Sequence, residues 1–211
     1  MIDVSVIIPY HQDRDYLFDA IESYESQNFT GTSELILSHN PTYSLGENFN
    51  AGVARAKGKY IKILPDDDLL EPNCLQDLFD AAEQTQADLV FAQSKDWCVM
   101  ENKISYFTPI VLDYSLENLL EENFIHGGTT LYRTDMVREL GGYDESLWTA
   151  EEYEFHLRCI AAGYKLHYTP NFVFTYRFWS GSKSRIYRLK MEDEALTERQ
   201  DYIETIRERF R

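Results

Sequence analysis

The feature that most constrains this chain is an alternation in its first half, where short runs of β-branched residues trade places with stretches whose apolar residues recur at helical spacing. That succession is the pattern of βα units laid on a mostly parallel sheet flanked by helices. Val4 to Ile8 reads as a buried strand. A helix from Asp13 to Gln27 follows, with Leu17, Ile21 and Tyr24 on one face and Asp13 and Asp15 where negative charge suits a helix start. Glu34 to Ser38 is a second strand, and a loop with Pro41 and Gly46 leads into a helix from about Glu47 to Lys57, stopped by Gly58. Tyr60 to Leu64 is a third strand. Pro72 then opens a helix with Leu75, Leu78, Phe79 and Ala82 on one side, and Asp88 to Ala92 is a fourth strand.

The second half is less regular and more aromatic. Strands are expected at Ile104 to Phe107, Thr129 to Tyr132 and Phe172 to Tyr176, and helices at Ser115 to Glu122, Thr134 to Leu140 and Glu151 to Ala162. Arg188 to Arg211 is a charge-rich helical tail whose large apolar anchors after Met191 are Leu196, Tyr202, Ile203 and Ile206. With no internal repeat and no low-complexity linker, 211 residues make one domain with two lobes, long enough to bury roughly 70% of the unfolded surface.

Charge narrows the partners. Twenty Lys+Arg against 36 Asp+Glu leave a formal charge of −16, which argues against a surface built for nucleic acid or anionic lipid. A small anionic ligand remains compatible if a divalent cation bridges it to carboxylates. Cys74, Cys98 and Cys159 are odd in number and lack metal-ligand spacing, so they read as reduced thiols. No apolar run approaches the ~20 residues of a membrane span, and the acid-bearing start lacks a secretory leader's basic region. A cytoplasmic protein is the expectation.

The strongest chemical signal is Pro65-Asp66-Asp67-Asp68, running straight on from the third strand. Open α/β sheets bind ligands at the carboxyl ends of their strands. Three adjacent carboxylates repel, and oxygen ligands of this kind select Mn²⁺ or Mg²⁺, which complete their shells with water and substrate phosphates. The plainer reading is a solvated acidic turn capping the next helix.

With its neighbours this stretch resembles the family 2 glycosyltransferases of GT-A fold, Rossmann-like with a smaller mixed acceptor-side lobe. Val4-Ser-Val-Ile-Ile-Pro-Tyr10 resembles that family's first strand. Asn50-Ala-Gly52 with Ala56-Lys-Gly58-Lys-Tyr-Ile61 resembles the approach to the metal strand, and Pro65-Asp-Asp-Asp68 stands at the DxDD position. Gly141-Gly-Tyr-Asp-Glu145 with Glu151-Glu-Tyr-Glu-Phe-His-Leu-Arg158 is similar to the GGFDE…EDxDLxxR segment, and Tyr176-Arg177 with Ser182 and Ser184 to the terminal YR element. Together these motifs cover about residues 2–185 in the expected order.

The resemblance implies one GT-A domain over 1–187, with a nucleotide and metal half at 1–100 and an acceptor half at 101–187, followed by the charged helix at 188–211. It implies a metal-dependent, inverting transfer of sugar from a nucleoside diphosphate sugar, UDP first, to a glycan or glycoprotein hydroxyl, and is compatible with a larger multidomain chain. Metal falls to Asp66, Asp67 and Asp68. Donor and nucleotide contacts fall to Pro9, Tyr10, His39, Asn40, Asn50, Asp66, Asp67, His126, Gly127 and Arg177, and acceptor contacts to Trp148 and Trp179. The family pattern points to Glu152 as base, with Glu151 the alternative.

Several readings stay open beside these. Thr149-Ala-Glu-Glu152 is also a capping box, in which Glu152 would merely satisfy the Thr149 amide. His126 either meets the donor or sits on a surface turn. Trp148 is a sugar platform or a rim aromatic, while Lys183, Arg185 and Arg177 form a cationic flap over the diphosphate or do not. His11, His156 and His167 read as structural. Pro65 replaces the first Asp of the family pattern, Trp179 its His, and Ser38-His39-Asn40 its usual acids, which leaves the nucleotide base open. An inactive binding scaffold is the first competing function. A nucleotidyltransferase is the second, disfavoured because Pro9-Tyr-His-Gln-Asp13 lacks a basic Gly-rich loop.

Overall fold

A computed structural model describes residues 1–11, 15–109, 113–147, 149–182 and 195–211. The strands are β1 (Val4–Tyr10), β2 (Ser33–His39), β3 (Tyr60–Ile63), β4 (Leu69–Leu70), β5 (Leu89–Cys98), β6 (Lys103–Phe107), β7 (Leu131–Arg133) and β8 (Leu166–Phe178). The helices are α1 (Asp15–Glu25), α2 (Leu45–Arg55), α3 (Cys74–Thr85), α4 (Leu116–Glu121), α5 (Thr134–Glu139), α6 (Glu151–Ala161) and α7 (Ala195–Glu208). Asp13 and the tail before Ala195, including Met191, lie outside the described residues.

The eight strands among the described residues join one sheet in the order β2-β1-β3-β7-β5-β8-β4, with β6 paired to β5. The β2-β1-β3 part is parallel, as the alternation in the first half requires. β7 then enters antiparallel to both β3 and β5, and β8 runs parallel to β5. Five strands therefore point one way and β4, β6 and β7 the other. Among the features that escape the sequence reading, β5 continues to Cys98, well beyond the expected Ala92. Leu69–Leu70 is too short to register as a strand, and β8 extends from Leu166 to Phe178 because β5 offers it a partner along nearly its whole length.

Alternation along β1 shows how the sheet divides the core. Val4, Val6 and Ile8 join Leu17, Ala20, Leu75 and Leu78 beneath α1 and α3, while Ile7 joins Phe49 and Val53 beneath α2 on the opposite face. α2 is closed at its start by a true capping box. The Ser44 hydroxyl accepts from the Glu47 amide at 3.1 Å, and the Glu47 carboxylate accepts from the Ser44 amide at 2.6 Å. α7 is anchored through the predicted Ile206, which is buried, with Tyr202 and Ile203 against the same cluster as α4 and α6. The three cysteines are free thiols.

His156 is structural, as expected. It lies fully buried on α6 with its Nε2 2.8 Å from the Tyr132 hydroxyl, and burial pushes its pKa down to about 3. In the unfolded chain the same ring takes a proton near pH 6.5. Between those values the unfolded state binds more protons, so acidification favours unfolding. Urea denaturation at pH 7.5 and pH 5 is expected to show the wild type losing about 2 kcal/mol more stability than His156→Asn over that interval.

Candidate active site

The site lies at the carboxyl ends of β1, β2 and β3, where the parallel strands deliver their last residues to one edge. At the outer side Tyr10 and His39 stack with ring centroids 4.5 Å apart, a flat platform suited to a nucleotide base. His39 Nε2 lies 3.1 Å from the His11 carbonyl oxygen. Asn40 closes the platform by exchanging two hydrogen bonds with the buried Asn48, and Pro9 is buried within β1. Asn50, expected at the donor, faces the second lobe. Its amide nitrogen donates to the Tyr143 carbonyl oxygen at 2.9 Å and its oxygen accepts from the Tyr143 amide at 2.8 Å. Its side chain thus holds the loop that leads to α6.

The acidic triplet is not a uniformly solvated turn. Asp66 and Asp67 are half-buried, and Asp68 is buried, with one carboxylate oxygen accepting the Arg177 amide at 2.7 Å. Desolvation, then the charge of Asp67, holds the Asp68 carboxyl well above the usual range. Asp67 accepts the Trp179 indole N–H at 2.8 Å, and Trp179 meets Tyr16 edge-on. Trp179 is therefore tied to the acidic strand end. Arg177, expected to close as part of a flap, is a buried strut. It is 2% exposed, forms an ion pair with Asp19 at 3.0 Å and stacks over the Tyr16 ring at 4.1 Å. Its partners in the flap reading, Lys183 and Arg185, lie outside the described residues, as do Ser184 and Trp148.

The residue that sequence reasoning missed is Lys62. It points inward from β3 with no exposure, and its ammonium donates to the Ile63 carbonyl at 2.7 Å and the Gly128 carbonyl at 2.6 Å. Burial lowers its pKa to about 8, opposed by the charges of Cys74 and Asp68. A lysine inside an otherwise apolar strand was the available signal, since Lys is almost never fully buried without partners. Through this one side chain the strand that ends in the acids is fastened to the His126–Gly127–Gly128 turn.

That turn faces Glu152. A Cβ built on Gly127 would sit 2.8 Å from Glu152 Cγ and 3.0 Å from its Cδ and Oε1, so glycine is what lets the carboxylate approach. Gly128 packs as closely on Phe174, where a Cβ would meet the ring at 2.2 Å. His126 is half-buried, and its Nδ1 accepts from the Gly128 amide at 3.1 Å. Burial, then the nearby Lys62 charge, pushes its pKa down to about 4, so the ring is neutral at pH 7 and carries its proton on Nε2.

The capping-box reading of Glu152 is also overturned. The N-cap of α6 is Ala150, in the left-handed region at φ 60°, so Thr149 lies outside the cap and Glu152 stands at the second helical position, where a capping box needs the third. Glu151 is buried at 2% exposure, whereas Glu152 is half-buried. Arg158 fixes the approach to this helix by pairing with Glu154 and donating to the Leu140 and Gly142 carbonyl oxygens at 2.6 and 2.7 Å. Among the described residues no group of three or more His, Cys, Asp or Glu side chains is placed to hold a metal ion.

Comparison with known proteins fits this architecture. An uncharacterized glycosyltransferase of Methanocaldococcus jannaschii is 26% identical over 204 residues, covering 82% of this chain and 70% of the relative. A Methanococcus voltae protein named dolichyl N-acetyl-alpha-D-glucosaminyl phosphate 3-beta-D-2,3-diacetamido-2,3-dideoxy-beta-D-glucuronosyltransferase is 24% identical over 87% of this chain and 69% of its own length. The crystal structure of a Staphylococcus aureus TarS fragment in complex with UDP-GlcNAc superposes with a TM-score of 0.68 at 16% identity, covering 86% of this chain and 60% of that one. The likeness bears out the α/β, GT-A type fold. No helix among the described residues is long and apolar enough to cross a membrane. The sequence profile of glycosyl transferase family 2 matches residues 32–141, just over half of the 211, and on that match the chain belongs to this family.

Proposed function

We propose that the domain transfers a sugar from a nucleoside diphosphate sugar, UDP in the first instance, to an acceptor hydroxyl with inversion at the anomeric carbon. The observation that carries the reading is the placement of Glu152 against Gly127, in a turn that Lys62 ties to the strand ending in Asp66–Asp68. Family membership and the UDP-GlcNAc complex of TarS support the donor class.

In this reading the Tyr10–His39 platform takes the nucleotide base. The acidic triplet faces the diphosphate, and its donor set fits a divalent ion held by one or two carboxylates. Asp67 and Asp68 each have one oxygen engaged by a protein N–H, and the desolvated, mutually repelling acids gain from a cation. Mn²⁺ or Mg²⁺ bound there would neutralise charge on the leaving diphosphate. Glu152 accepts the proton as the acceptor oxygen forms its bond to the anomeric carbon, and the bond to the diphosphate breaks with its electron pair leaving on oxygen. An acceptor on a glycan or glycoprotein, and a setting within a longer chain, complete the proposal.

Calorimetry should show UDP binding that weakens when EDTA removes the metal, with Asp67→Asn weakening it by at least about tenfold. UDP affinity indifferent to both would remove the metal from the reading, and absence of UDP binding would favour an inert scaffold. Glu152→Gln is expected to keep UDP affinity while transfer falls by about 100-fold or more. The reverse pattern, with Glu151→Gln the inactive variant, would move the base by one residue. Gly127→Ala adds no backbone strain but displaces the Glu152 side chain, so kcat should drop about tenfold or more with KM for the donor little changed.

A further inference from the structure

We infer that Trp179 is a positioning residue for cation binding, its indole N–H fixing the Asp67 carboxylate beside Asp68 so that each acid offers one oxygen to a divalent ion. This deepens the nucleotide-sugar reading and rests on the ion proposed there. The end of β8 grips two of the three acids at once. The Arg177 amide donates to one oxygen of Asp68 at 2.7 Å, and two residues on the Trp179 indole donates to one oxygen of Asp67 at 2.8 Å. Each bond engages a single oxygen, and neither acid has a further hydrogen bond or ion pair among the described residues. One oxygen from each of two carboxylates, completed by water and phosphate, is a donor set that suits Mg²⁺ or Mn²⁺. Asp67 is close enough for its charge to disfavour the ionised form of Asp68, so repulsion works to turn the half-buried Asp67 side chain outward. The indole bond opposes that rotation.

The donor itself is held from three sides. The Ser182 amide and hydroxyl both donate to the Trp179 carbonyl oxygen, at 3.1 and 3.0 Å, which closes a tight turn behind the ring. Within that turn the indole lies on Gly181, where a Cβ would come within 2.4 Å of its Cη2 and Cζ3 atoms. Tyr16 meets the indole edge-on with ring centroids 5.1 Å apart, and Tyr16 is in turn covered by the Arg177 guanidinium that pairs with Asp19. The indole N–H is therefore aimed before any ligand arrives. Indole nitrogen donates but does not accept, so Trp179 acts on a cation only through the orientation of Asp67. Partners of this kind, which orient a ligand without touching the metal, are typically worth about 10- to 100-fold in metal affinity.

The test measures Mn²⁺ affinity with UDP present, from the electron paramagnetic resonance signal of the free ion, on the wild type, Trp179→Phe, Trp179→Gln, Asp67→Asn and the Asp67→Asn/Trp179→Phe double variant. Trp179→Phe keeps an aromatic ring against Tyr16 and Gly181 and is expected to weaken Mn²⁺ by about tenfold or more, while Trp179→Gln, which restores an N–H donor, recovers part of the loss. In the Asp67→Asn background the same Phe substitution should change Mn²⁺ affinity by no more than about twofold, because the residue it acts through is already altered. Unchanged affinity in Trp179→Phe, or an equal loss in both backgrounds, overturns the inference while the transferase reading stands. If Asp67→Asn leaves Mn²⁺ binding intact, the parent assignment of the ion fails first. A second measurement needs no Trp179 variant. In protein labelled with ¹⁵N-tryptophan, one of the three indole N–H resonances should move both in Asp67→Asn and when Mg²⁺ and UDP are added to the wild type, and the absence of any such resonance overturns the inference.

Discussion

The buried ammonium of Lys62 is the interaction on which the geometry of the site depends. Two carbonyl oxygens, one at the end of β3 and one in the Gly127–Thr129 turn, converge on it inside an apolar core. Hydrogen bonds to a charged donor contribute about 1.5–3 kcal/mol each, and a carbonyl left unpaired at such depth costs a similar amount. The two segments therefore keep one separation. One carries the aspartates and the other fits against Glu152, so this side chain helps to set the span between the acidic triplet and Glu152.

Charge is arranged in layers around that anchor. Lys62 supplies a positive centre beneath the acids, and Arg177 supplies another from the far face of β8, held by Asp19 and Tyr16. Neither relieves Asp68 fully, since desolvation and its acidic neighbours still hold its carboxyl well above the ordinary range. A phosphate-bearing ligand approaching with a divalent ion would bring the missing positive charge with it.

Much of this was legible in residue order. The β1-to-α3 alternation announced its parallel strands, and the position of Asp66–Asp68 at the end of the third strand followed from strand length alone. Glu152 was separable from its neighbours only through a family pattern, because Thr149-x-x-Glu152 reads equally well as a cap. The cap reading failed on a backbone torsion: Ala150 adopts the left-handed region and starts the helix one residue late. Asn50 lay in a recognisable motif, yet its side chain serves the Tyr143 loop, 93 positions away.

By itself the sequence determined most of the strands and helices of the first half, that both sides of the parallel strands are buried, and that three carboxylates follow the third strand. These follow from periodicity, capping chemistry and charge, all of them local. Only the tertiary structure decided that β7 enters antiparallel beside β3, that Lys62 is fully buried, and that the Gly127 turn lies against Glu152. Those outcomes depend on contacts between residues far apart in the chain, and a one-dimensional pattern does not encode such distances until the sheet closes around them.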